Sequence, residues 1–136
     1  MSNQLNVLVV EDSDNDYFLL EKSIIGLNNF SIIKRVNDGL EAINYLQTET
    51  NLPNLILMDI NMPRMDGHTC LKEIRKNHAW KHIPIIIFST FNDINIVIDS
   101  YVSCASSHIV KPDTLLEYKL FMEALEKYWS NTAILP

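Results

Sequence analysis

Four apolar runs in this chain each end on side chains that can do chemistry. Glu11 and Asp12 follow residues 7–10 (VLVV), and Asp59, with Asn61 two places on, follows residues 55–58 (LILM). Ser89 and Thr90 follow residues 85–88 (IIIF), and Lys111, ahead of Pro112, follows residues 108–110 (HIV). Three carboxylates brought together repel strongly unless a cation joins them. An all-oxygen site on a shallow edge suits Mg2+, which keeps several waters and awaits phosphate oxygens. With such an ion in place one carboxylate stays nucleophilic toward phosphorus, while Lys111 and a Ser89 or Thr90 hydroxyl offer donors to the phosphoryl oxygens. These parts suit the formation of an aspartyl phosphate.

The residues are far apart in sequence, so the fold must gather them. Residues 6–10, 31–36, 55–58, 85–88 and 108–110 read as five short strands rich in Val, Ile and Leu. Helix-length segments alternate with them at 16–27, 40–48, 69–77, 94–102 and 115–129. Strands this uniformly apolar are expected where helices cover both faces of a parallel sheet, which makes the class doubly wound α/β with five strands and five helices. In such a sheet all carboxyl ends open on one edge, and the acids, the hydroxyls and the lysine converge there. In the last helix Leu116, Leu120, Ala124 and Tyr128 share one side, and that side is predicted to dock on the sheet. Asp14 and Asp16 read as first-turn carboxylates of the first helix, outside the metal site.

Val10-Glu11-Asp12, the run Asp59-Ile60-Asn61-Met62-Pro63-Arg64-Met65-Asp66-Gly67, Ser89 and Lys111-Pro112 together resemble the receiver family of two-component signalling. The similarity runs from about Leu5 to Tyr128. It implies a flavodoxin-like strand order of 2-1-3-4-5, with Asp59 as phosphoacceptor. It also implies Asp12 and Asp59 as direct Mg2+ ligands, the Asn61 backbone carbonyl as another, and Glu11 as a ligand through water. Lys111 would pair with the phosphoryl group, Ser89 would be the hydroxyl that moves toward it, and Thr90 sits where a small residue is typical. The opening residues 10–24 and the ending 128–136 resemble the receivers that partner bacterial phytochrome-type histidine kinases.

Three positions depart from the family pattern. His108 stands at the switch position usually held by Tyr or Phe, and its ring can charge near neutral pH, so burial on phosphorylation would favour its neutral form. The other reading is a partly exposed strand-end histidine. Phe91 brings an apolar group where many receivers are polar, and is expected to screen an acyl phosphate from water. Cys104-Ala105 replaces a Gly-Ala pair before the last strand, so a local backbone change is expected there.

The bulk properties narrow the function further. A length of 136 residues suits one domain, with a core of about 5–128 and a tail at 129–136. A net charge of −6 without a basic stripe argues against nucleic acid and for a protein partner. No run of about 20 apolar residues and no signal-type start are present, so no membrane partner and a cytoplasmic setting are expected. Cys70 and Cys104 read as small buried apolar residues. No output domain follows the last helix in this sequence, so the phosphorylated surface is expected to be read by a downstream protein, or the phosphoryl group passed on in a relay. Trp129, Ile134 and Leu135 in the tail are expected to pack on the body or across a homodimer. Two other readings stay open. A haloacid-dehalogenase-type phosphatase would carry a second acid where Asn61 stands, and a scaffold receiver would work without phosphorylation.

Overall fold

The computed structural model describes residues 3–90 and 92–136. Phe91, with the screening role expected of it, lies outside the described residues. Strands β1 (Leu5–Val10), β2 (Phe30–Val36), β3 (Leu55–Met58), β4 (Ile85–Ser89) and β5 (Ser107–Val110) pair in parallel in the order β2-β1-β3-β4-β5. Helices α1 (Asp14–Ser23), α2 (Gly39–Thr48), α3 (Gly67–Lys76), α4 (Ile94–Val102) and α5 (Leu115–Glu126) join them, and a π-helical turn, Lys127–Thr132, follows. The predicted doubly wound fold is the one observed.

Alternate strand residues feed two cores, as a period of two requires. Leu8, Val10, Ile56, Met58, Ile85 and Ile87 pack with Ala42 and Leu46 of α2 and with Cys70, Leu71 and Ile74 of α3. On the other face Leu5, Val7, Val9, Leu55, Leu57, Ile86 and Phe88 meet Leu20 of α1 and Tyr118, Met122 and Leu125 of α5. The register then levels the carboxyl ends. Val10 pairs with Met58, which sets Glu11 beside Asp59, and Ser89 pairs with Val110, which sets Lys111 one step beyond.

Each helix begins on a side-chain cap: Ser13 accepts from the Asp16 N–H, Asp38 from Glu41, Asp66 from Thr69, Asp93 from Asn95 and Thr114 from Glu117. These caps start α1 and α3 two residues earlier than hydrophobic spacing suggested. At the other end α1 stops at Ser23, before Gly26 turns the chain at φ +92°.

Three expectations are corrected. The side of α5 that docks is Tyr118, Met122 and Leu125, whereas Leu116, Leu120, Ala124 and Tyr128 lie exposed. Both stripes have helical spacing, and the larger, more completely buried Tyr118 takes the sheet side, where its ring meets Phe88 edge-on at 5.7 Å. Second, β2 is an edge strand and not uniformly buried, with Ser31, Ile33 and Lys34 exposed. Third, Cys70 is buried as expected but Cys104 is exposed. Cys104 takes a left-handed backbone, φ 70°, although it is not a glycine. In the tail, Ser130 exchanges hydrogen bonds with the backbone of Asn3, and Trp129 and Leu135 pack against the second core, while Ile134 is almost fully exposed.

Candidate functional site

At the carboxyl edge of the sheet Lys111 places its ammonium among three carboxylates. Its Nζ lies 2.6 Å from Glu11 Oε1, 2.8 Å from Asp16 Oδ2 and 3.0 Å from Asp59 Oδ2. Lys111, Glu11 and Asp59 are buried, while Asp12 faces solvent. One carboxylate oxygen from each of Glu11, Asp12 and Asp59 can be chosen so that all lie within 4.8 Å of one another.

The backbone around Asp59 is tightly held. Its N–H donates to the Val10 carbonyl at 2.9 Å, and its Oδ1 accepts from the Ile60 N–H at 2.7 Å. Gly67 donates to the Ile60 carbonyl and lies so close behind the loop that a Cβ there would run into the Asp59 carbonyl oxygen. Farther along the loop Arg64 adopts φ 61°, and its Nε reaches the buried Asp38 carboxylate at 2.7 Å, tying the loop to the N-terminus of α2. Burial works against the Asp38 charge, but Arg64 and the Glu41 N–H outweigh it and hold that carboxyl below the usual range.

Electrostatically the pocket is short of positive charge. Glu11, Asp16 and Asp59 share Lys111, and Asp12 adds a fourth carboxylate beside them. Burial pushes the Glu11 carboxyl up to about 7 even though the Lys111 ammonium sits on it and pulls the other way. Lys111 is itself partly desolvated, yet its hydrogen bonds to Asp16 and Glu11 hold its pKa above the ordinary lysine value. A divalent cation on this oxygen-only donor set supplies the missing charge, so the residues present fit Mg2+.

Most of the residues read from the sequence lie at this edge. Asn61 is exposed on the loop two residues past Asp59. Ser89 is fully buried at the end of β4 and its carbonyl accepts from the Lys111 N–H at 2.8 Å, while Thr90 is exposed just beyond. His108 is half-buried on β5, with Nδ1 2.8 Å from Ser100 Oγ. Asp14 pairs with Arg35 at 2.8 Å, away from the cluster. Asp16 does stand in the first turn of α1, as expected, but it also joins the site through Lys111. Its place three residues after the Ser13 cap, on the same turn, was the available signal.

The family model of the response regulator receiver domain matches residues 7–119. This chain belongs to the response-regulator receiver family. It is 33% identical to the response regulator Rcp1 of Synechocystis sp., over the whole of this chain and 99% of Rcp1. The crystal structure of the phosphorylated cyanobacterial phytochrome response regulator RcpA superposes with a TM-score of 0.90 at 30% identity, covering 98% of this chain and 99% of RcpA. The Mn(2+)-bound form of Rcp1 does so with a TM-score of 0.87 at 31% identity, covering 97% and 99%. As a receiver the protein is a two-component signalling module with a histidine kinase for a partner. It is phosphorylated on an aspartate in a Mg2+-dependent reaction. No helix among the described residues is long and apolar enough to cross a membrane.

Proposed function

We propose that Asp59 is the phosphoacceptor of this receiver, with Asp12, Asp59 and the Asn61 carbonyl as direct Mg2+ ligands and Glu11 as a ligand through water. The observation that carries this reading is the convergence of Glu11, Asp59 and Lys111 in one buried, under-neutralised cluster. Bound Mg2+ would offset the negative charge gathered on the phosphoryl oxygens in the transfer. A carboxylate oxygen of Asp59 forms the new P–O bond as the P–N bond of a kinase phosphohistidine breaks, and that bond's electron pair returns to the imidazole. Lys111, already 3.0 Å from Asp59, then shifts its contact to a phosphoryl oxygen, and the Ser89 hydroxyl donates to another. Thr90, the next residue, is exposed. The chain's own chemistry is limited to this transfer and the later hydrolysis. Incubation with acetyl phosphate and Mg2+, followed by intact-mass measurement and peptide mapping, tests the assignment. One phosphoryl group on the peptide holding Asp59, absent in Asp59→Asn, is expected; undiminished labelling of Asp59→Asn refutes it.

We further propose that residues 1–136 act as one cytoplasmic receiver, paired with a phytochrome-type histidine kinase, and that the signal leaves through α4, β5 and α5. The likeness to Rcp1 and RcpA along nearly the full chain supports the kinase class. Support for the exit face is the apolar surface displayed there: Leu116, Leu120 and Tyr128 of α5 and its extension, with Ile98, Tyr101 and Val102 of α4, all exposed. A downstream protein, or a second copy of this chain, would cover it. Sedimentation of the protein shortened to end at Ser130 checks the tail's part in a homodimer. A shift toward monomer is expected, and an unchanged mass removes the tail from the interface.

A further inference from the structure

One buried hydroxyl joins three elements that the phosphorylation chemistry leaves unused. Ser100 of α4 is fully buried, and its Oγ lies 2.8 Å from Nε2 of His68, in the first turn of α3, and 2.8 Å from Nδ1 of His108, on β5. It also donates to the Ile96 carbonyl at 3.2 Å, one helical turn back. Both ends of this chain of contacts adjoin the phosphorylation site. His68 directly follows Gly67, which packs on the Asp59 backbone, and His108 lies three residues before Lys111 on the same strand.

We propose that His68 and Ser100 are positioning residues which, with His108, form a proton-sensitive strap tying α4 to both flanks of the phosphorylation site. This rests on the reading of Asp59 as the phosphoacceptor. A movement of the Asp59 loop displaces His68 through Gly67, and a movement of Lys111 displaces His108 along β5. Either one changes a contact to the same oxygen, and α4 responds through Ser100. A Tyr or Phe ring, usual at the switch position, has no nitrogen with which to meet the Ser100 hydroxyl; His108 has one there.

The hydroxyl's valence makes the strap sensitive to protons. Ser100 has one hydrogen to give and two lone pairs to receive. When it donates to Ile96, both rings must donate to it, which sets the N–H on Nε2 of His68 and on Nδ1 of His108. When it donates to one ring, the other ring still supplies an N–H. No arrangement needs either ring charged. Charging both would put two cations around one oxygen with their nearest nitrogens no more than 5.6 Å apart, twice 2.8 Å. Asp66, which caps α3, and Lys72 of α3 face His68, as do Asp99 from α4 and His108 from β5, and the Tyr101 hydroxyl accepts from the His108 backbone N–H at 3.2 Å. Burial is the largest influence on His68 and lowers its pKa from 6.5; Asp66 and Asp99 oppose it, and Lys72 and His108 reinforce it. A base whose pKa is depressed in the fold favours the folded arrangement at pH above 6.5 and loses that advantage as pH falls through its folded value. The strap is therefore closed under mildly alkaline conditions and loosens on acidification.

Histidine-ring NMR of the full chain in Mg2+, titrated over pH with and without beryllofluoride, tests this in the wild type, Ser100→Ala and His108→Phe. Beryllofluoride is expected to move the His68 titration in the wild type. In both variants the His68 titration should ignore beryllofluoride, while amides of the Asp59 loop still shift on its addition. His108→Phe keeps the family's aromatic ring, so it serves where Ser100→Ala fails to fold. Loop amides that shift in the wild type while the His68 titration stays fixed would overturn the strap alone. Loop amides that do not shift at all would overturn the reading of Asp59, and the strap's signalling role with it.

Discussion

Helices α3 and α4 precede and follow strand β4 and are nearly equal in length, yet they are held in opposite ways. Helix α3 buries Gly67, Cys70, Leu71 and Ile74, a continuous apolar stripe pressed on the sheet. Of the residues in α4 only Ser100 is buried, while Ile94, Ile98, Tyr101 and Val102 lie exposed. One helix is fixed by a broad buried apolar stripe; the other packs only Ile96 partly against the core and adds a buried hydroxyl that meets two imidazoles. Elements that move in a switch come from the weakly held part of a structure. On the proposed reading the contrast puts the anchor before β4 and the moving part after it, and it gives an event at Asp59 a route to the surface that leaves the core undisturbed.

The largest effect that could break this comparison is on the anchor. Ile74→Ala empties a fully buried site beneath α3 and is expected to cost about 2–5 kcal/mol in chemical denaturation. The matching change in α4, Ile98→Ala, trims a side chain that is 48% exposed and is expected to cost about 0.5 kcal/mol or less. Equal losses would mean that α4 is anchored as firmly as α3.

The sheet and the convergence of acids and a lysine at its edge were readable in the sequence for one reason: strand-end position and charge are local properties. The apolar runs ending in Glu11-Asp12, Asp59 and Lys111 placed these groups before any contact was known. What failed were choices that depend on three-dimensional competition. Two stripes of α5 had helical spacing, and only packing against Phe88 decides for Tyr118 and Met122 over Leu116 and Leu120. Asp16 reads as an ordinary first-turn acid because its link to Lys111 spans 95 residues. His108 was visible as an oddity, but its partners His68 and Ser100 were not, since each alone is an unremarkable polar residue on a helix. Cys104 takes a backbone that favours glycine, φ 70°, and nothing in its residue type announces that.

The central claim is that clustered acids at the sheet edge hold a divalent ion beside a single reactive carboxylate. Crystals grown with Mg2+ and beryllofluoride test it most directly. The account predicts a metal bound by Asp12, Asp59 and the Asn61 carbonyl, with Glu11 reached through water, and beryllofluoride attached to an Asp59 oxygen and contacted by Lys111. Neither species at this edge, with Lys111 still on Glu11, Asp16 and Asp59, would contradict it.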